Sequence, residues 1–96
     1  MAKTRTRRWD PAAHLRNEAD MAAYLNAALS DGDPALVAAV LGDIARAKGM
    51  TGVARKAGLG RESLYKSLSP QGHPELATVL KVVHALGLKL TAAHQR

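Results

Sequence analysis

The 96-residue chain contains no cysteine and no phenylalanine. The lack of cysteine excludes disulfides, thiolate zinc sites and a cysteine nucleophile, and it fits a reducing cytoplasm, where we expect the protein. With one Trp and two Tyr, the core must be built from Leu, Val, Ile and Ala. No apolar run approaches the roughly 20 residues that span a bilayer. Because no apolar segment follows the basic N-terminus, we expect neither a signal peptide nor a membrane partner.

The net charge of +6 is distributed unevenly along the chain. Residues 1–8 carry a net +4, residues 9–45 carry −5 and residues 46–66 carry +5. We expect residues 1–9 to form a flexible basic tail, which can also add non-specific phosphate contacts. Trp9 either packs against the core or anchors a partner. The acidic front half and the basic centre indicate two different surfaces, of which the basic one suits phosphate.

Cap and turn residues divide residues 10–96, which we interpret as one all-α domain, into helices. The predicted helices run over residues 11–17, 18–30, 34–48, 52–57, 61–68 and 74–86. Gly42 within the third of these predicts close packing against another helix. After the last helix, Leu88 and Leu90 alternate with polar residues, which is compatible with a short strand. This C-terminal segment is the contact that we favour for a homodimer.

Residues 50–68, MTGVARKAGLGRESLYKSL, have the features of a helix-turn-helix. Ala54 is small enough for two helices to cross closely, and Gly58 accepts the positive φ that the turn requires. Leu59 is then expected to point back into the core, and Leu64 to anchor the second helix. The pattern predicts two short helices joined by a three-residue turn, with the outer face of the second helix free.

That outer face carries long hydrogen-bonding side chains. Because the first residues of a recognition helix usually reach base edges, we assign base reading to Arg61, Glu62, Ser63 and Tyr65. We assign DNA phosphate contacts to Arg55, Lys56 and Lys66, and to Thr51, which is expected to cap the first short helix. The alternative interpretation is an ordinary helical hairpin with a solvated charged face.

The remaining polar residues do not form a catalytic or metal-binding pattern. The four histidines are dispersed and lack the spacing of a zinc motif, so we expect no metal and no cofactor. Ser63, Ser67 and Ser69 lack a neighbouring base and an orienting acid. The sequence therefore predicts a binding protein rather than an enzyme.

The stretch 50–68 resembles the helix-turn-helix of Xre/Cro-type repressors. It departs from that pattern at Gly52, where a glutamine often contacts phosphate, and at Gly60, where Ser or Thr often caps the recognition helix. A wider resemblance covers residues 10–90. The segments GDPALVAAVLGDIARAKGM, GLGRESLYKSLSPQGHPEL and LKVVHALGLKL closely resemble the addiction-module antidote proteins, which are antitoxins paired with RelE/ParE-like toxins.

This resemblance implies five helices around the helix-turn-helix, as in the lambda-repressor-like fold, and a homodimer. It also implies binding to double-stranded operator DNA, repression of the operon and neutralisation of a small basic toxin. The acidic stretch 9–45 is compatible with a cationic partner, and equally with a merely soluble face. The alternative function is a stand-alone Xre-type transcriptional repressor without a toxin.

Overall fold

The computed structural model of the chain describes residues 14–95. This part contains five α-helices and no strand. The helices are α1 (Glu18–Asp31), α2 (Pro34–Lys48), α3 (Met50–Ala57), α4 (Arg61–Ser67) and α5 (Leu76–Ala85). The prediction of an all-helical chain is therefore confirmed for this part. The basic tail, Trp9 and most of the helix predicted over 11–17 lie outside the described residues, and residues 14–17 contain no α-helix.

Side-chain caps define the boundaries of the first two helices. The Asn17 side chain accepts a 2.9 Å hydrogen bond from the backbone N–H of Asp20 at the start of α1. Gly32 then ends α1 with a φ of 83°. The Asp33 carboxylate accepts from the N–H of Ala35, and Pro34 occupies the first turn of α2. The resulting short turn lets α1 and α2 pack as a hairpin.

The core is aliphatic and lies between all five helices. Its buried members are Met21, Leu25, Ala28, Val40, Leu41, Ile44, Ala45, Met50, Val53, Ala54, Leu64, Leu68, Val82, Val83 and Leu86. The prediction of a core of Leu, Val, Ile and Ala is confirmed in the main, with two methionines added to it. Because none of the buried core residues in the described part of the chain is aromatic, the helices can approach each other closely.

The predicted first residues of two helices are wrong. The helix α3 begins at Met50 rather than Gly52, because the Met50 side chain is buried in the core, so Thr51 lies within the helix instead of capping it. The helix α5 begins at Leu76 rather than Pro74, after an extended Glu75.

The short C-terminal strand is also absent from the described part of the chain. Leu88 and Leu90 are half-buried and pack against the core instead of pairing with another strand. Within residues 14–95, no helix is both long and apolar enough to cross a membrane.

Candidate nucleic-acid interface

The turn between α3 and α4 has the local geometry that a helix-turn-helix requires. Gly58 adopts a left-handed conformation with a φ of 72°. The N–H of Leu59 donates a 2.9 Å hydrogen bond to the carbonyl oxygen of Ala54, which satisfies the end of α3. Ala54 is buried and Leu59 packs against the core. The predicted roles of these three residues agree with their positions in the structure.

The helix α4 is anchored from its inner side. Leu64 is only 1% exposed, and Leu68 at the C-terminal end of the helix is also buried. Leu68 lies against Gly42 of α2 so closely that a Cβ on Gly42 would overlap the Leu68 carbonyl oxygen. The close packing predicted for Gly42 is present, and its partner is the end of α4. These contacts leave the opposite face of α4 in solvent.

The outer face of α4 gathers the residues predicted to read bases. Arg61, Glu62, Ser63, Tyr65 and Lys66 are all exposed, and Tyr65 is 61% exposed. All of these except Ser63 line one open, shallow depression. Within residues 14–95, none of the side chains that line it forms a hydrogen bond or an ion pair. This face therefore presents donors, an acceptor and an aromatic ring that are available to a ligand.

The residues predicted to contact phosphate are less closely grouped. Thr51 and Arg55 are exposed on α3, and Lys66 belongs to the face of α4. Lys56 lies elsewhere, on a separate groove that it shares with Glu18 and His84. The structure thus does not place Lys56 beside Lys66.

A loop that follows α4 adds polar groups that the sequence prediction did not include. Ser69 and Gln71 line a second open pocket together with Lys66 and His73. Gly72 holds this loop close to α4, since a Cβ there would overlap the backbone carbonyl oxygens of residues 66 and 67. In the sequence, the glycine in the run Ser-Pro-Gln-Gly-His is the only indication that this loop packs tightly against the end of α4.

A family of probable addiction module antidote proteins matches residues 5–94. The chain belongs to this family. An uncharacterized protein of Haemophilus influenzae (strain ATCC 51907 / DSM 11121 / KW20 / Rd) is 46% identical over 88 residues, which cover 92% of this chain and 91% of the relative. No solved structure matches the chain. The match agrees with the resemblance carried by the three segments quoted above.

An addiction module antidote has, in general terms, a toxin as its partner, and the family indicates a regulatory protein rather than an enzyme. Among residues 14–95, no three His, Asp or Glu side chains come together as a metal site.

A polar contact joins α1 to α2 beside the outer face of α4. The Tyr24 hydroxyl donates a 2.6 Å hydrogen bond to the Asp43 carboxylate, whose other oxygen accepts from Arg46. Burial of the phenol, followed by the contact with Asp43, raises the pKa of Tyr24 to about 12. Asp43 and Arg46 also line a groove that reaches Tyr65 of α4, so this contact lies beside the candidate interface.

Proposed function

We propose that the antidote binds the operator of its own operon as a homodimer, represses that operon, and neutralises a small basic toxin of the RelE/ParE-like class. The observation that carries the DNA-binding part is the arrangement of α4. Its inner side is anchored by Leu64, while the polar side chains on its outer side have no partner in the described part of the chain. A helix held in this way can enter a major groove without loss of core contacts.

Each side chain on this face has a chemistry that suits one part of the duplex. Arg61 lies in the first turn of α4 and can donate two parallel hydrogen bonds to guanine. Glu62 can accept from the amino group of cytosine, and Ser63 and Tyr65 can add polar or stacking contacts. Lys66 suits a phosphate, as do Thr51 and Arg55 on the exposed side of α3.

The distribution of charge also supports the binding of DNA by α3 and α4. Residues 46–66, which contain α3 and all of α4 except its last residue, carry six basic residues and one acidic residue. Such a local excess of positive charge attracts the phosphate backbone regardless of sequence. In a dimer, two copies of α4 about 34 Å apart would read successive turns of one groove, so the operator should be an inverted repeat.

The deciding experiment measures binding to the DNA upstream of the antidote gene by footprinting and by mobility shift at fixed salt. Arg61→Glu should abolish the specific footprint and leave the helical circular-dichroism spectrum unchanged. Lys81→Glu makes the same change of charge at an exposed site on α5 and should still bind. Specific binding by Arg61→Glu at the unmodified affinity would refute the assignment of α4.

The toxin-binding part rests on the family match and on charge. Residues 18–43 contain five carboxylates and no lysine or arginine, which suits a cationic protein. Co-purification with the product of the adjacent reading frame tests this part directly. If no complex forms, the alternative of a stand-alone repressor is favoured.

A further inference from the structure

The carboxylates of residues 18–43 differ in what they contact. Glu18 pairs with Lys48 at 2.9 Å, and Asp43 is bound by Tyr24 and Arg46. Asp20 accepts from a backbone N–H. The other two are Asp31, the last residue of α1, and Asp33, which caps the start of α2 after the turn at Gly32. Within residues 14–95 neither of these two pairs with a basic side chain, and the contact of Asp33 is the backbone N–H that it caps.

Two exposed leucines flank this turn. Leu29 precedes it on α1 and is 42% exposed, and Leu36 follows it on α2 and is 39% exposed. Leu29 also lines a groove of about 310 Å³ between α1 and the C-terminal segment, where Leu88 and Leu90 form the opposite wall. Apolar side chains beside unpaired charges of one sign are typical of a surface that binds a protein of the opposite charge.

We propose that this α1–α2 turn surface, consisting of Leu29, Asp31, Asp33 and Leu36, is where the antidote binds its toxin. The proposal rests on the proposed function, because it takes the partner to be the small basic toxin. Basic side chains of the toxin would pair with the two aspartates, and an apolar side chain would cover the leucines. Lys89 lies on the far wall of the groove, so the cationic part of the toxin belongs over the turn.

Charge argues against two other occupants. A second copy of the antidote related by a two-fold axis would bring this patch against itself, so Asp31 and Asp33 would meet their own like charges. DNA is a polyanion and would be repelled by the same carboxylates. A cationic protein is the remaining class of partner that gains from both the charge and the apolar area.

The turn surface and the outer face of α4 lie at different positions along α2. The turn is at the N-terminal end of α2, whereas Gly42, which contacts the end of α4, lies eight residues after Pro34. At about 1.5 Å per residue, this is a separation of about 12 Å along the helix axis. The toxin and the operator would therefore contact different residues of the protein.

The test uses the full chain and, as the probe, the purified product of the adjacent reading frame, with affinity measured by calorimetry. The first variant, Asp31→Lys with Asp33→Asn, reverses one charge and removes the other while the asparagine keeps the cap of α2. The second, Leu29→Ser with Leu36→Ser, removes the apolar area. Each should weaken binding at least about tenfold, as expected for central contacts of an interface.

Two controls separate this surface from the rest of the protein. Glu75→Lys reverses an exposed charge outside the turn and should bind the probe as the unmodified chain does. Arg61→Glu should lose binding to the operator and should bind the probe with unchanged affinity. If the unmodified chain binds the probe and both turn variants retain that affinity, the toxin is a partner of this protein but does not bind at the α1–α2 turn surface. If the unmodified chain does not bind, the toxin part of the proposed function fails as well.

Self-association gives a further outcome. Light scattering on the leucine variant should show the same mass as the unmodified chain. A change of mass with unaltered affinity for the probe would show that the leucines join two copies of the antidote, which contradicts the proposal.

Discussion

Gly42 of α2 lies directly against Leu68 at the end of α4, at a distance that leaves no room for a Cβ between them. The nearest atom is the backbone carbonyl oxygen of Leu68, which cannot rotate away as the tip of a long side chain can. This contact determines how closely α4 approaches α2, and hence how far the outer face of α4 stands out into solvent.

Gly42→Ala should lower the free energy of unfolding by about 1–3 kcal/mol, the usual cost of overpacking a core. The substitution also improves helix propensity by about 1 kcal/mol, but the overlap with backbone outweighs that gain. Urea unfolding followed by circular dichroism measures the difference. The operator affinity should fall as well, because α4 is displaced.

Gly52→Ala is the matched control on α3. A Cβ at Gly52 meets no atom within 4 Å, so only the improved helix propensity remains. The unfolding free energy should rise by up to about 1 kcal/mol. Equal effects of the two substitutions would show that Gly42 does not lie in a close contact.

Gly58→Ala should destabilise the protein through backbone strain alone. Gly58 has a φ of 72° and open space around its Cα, so the added methyl group clashes only with its own backbone. The cost is about 1–2 kcal/mol of unfolding free energy. Asparagine tolerates this conformation better than alanine, so Gly58→Asn should retain more stability in the same urea titration. Equal stability of the two variants would contradict a left-handed turn at this position.

The features that depend only on residues adjacent in sequence could be predicted from the sequence. Asp33 with Pro34 marks the start of a helix by local hydrogen bonding, and Gly58 marks the turn by its conformational freedom, so both agree with the structure. The first residue of α3 could not be predicted, because burial of Met50 in the distant core decides it. The position of Lys56 also depends on distant residues, because it lines a groove with Glu18 of α1 and His84 of α5. The sequence pattern alone therefore could not separate Lys56 from the face of α4.

The titration of Tyr24 gives a prediction about pH. Burial of the phenol, and then its contact with Asp43, raise its pKa to about 12, above the value near 10 of an unfolded chain. The folded state thus favours the protonated phenol. This contribution to stability is complete below about pH 10, and it is lost as the pH rises through the folded pKa of about 12. The unfolding free energy should therefore fall across this interval.

Tyr65→Phe isolates the signal, since it leaves Tyr24 as the only tyrosine of the chain. The tyrosinate absorbance of this variant should have its midpoint at about 12. Adding Asp43→Asn should lower the midpoint in part and leave it above that of a free phenol, because burial is the larger cause. A midpoint near 10 with Asp43 in place would contradict the buried contact.

Lys66 and Arg61 should affect DNA binding in different ways, although both belong to the face of α4. A phosphate contact releases counterions, so Lys66→Ala should reduce the slope of log affinity against log salt by about 0.9. This substitution should also weaken binding to operator DNA and binding to unrelated DNA to similar extents. Arg61→Ala should reduce the free energy of binding to the operator by about 1–3 kcal/mol, and it should weaken the sequence preference at one base pair. Lys81→Ala on α5 should leave the salt slope unchanged, and a loss equal to that of Lys66→Ala would mean that the charge of the whole protein, rather than α4, contacts the backbone.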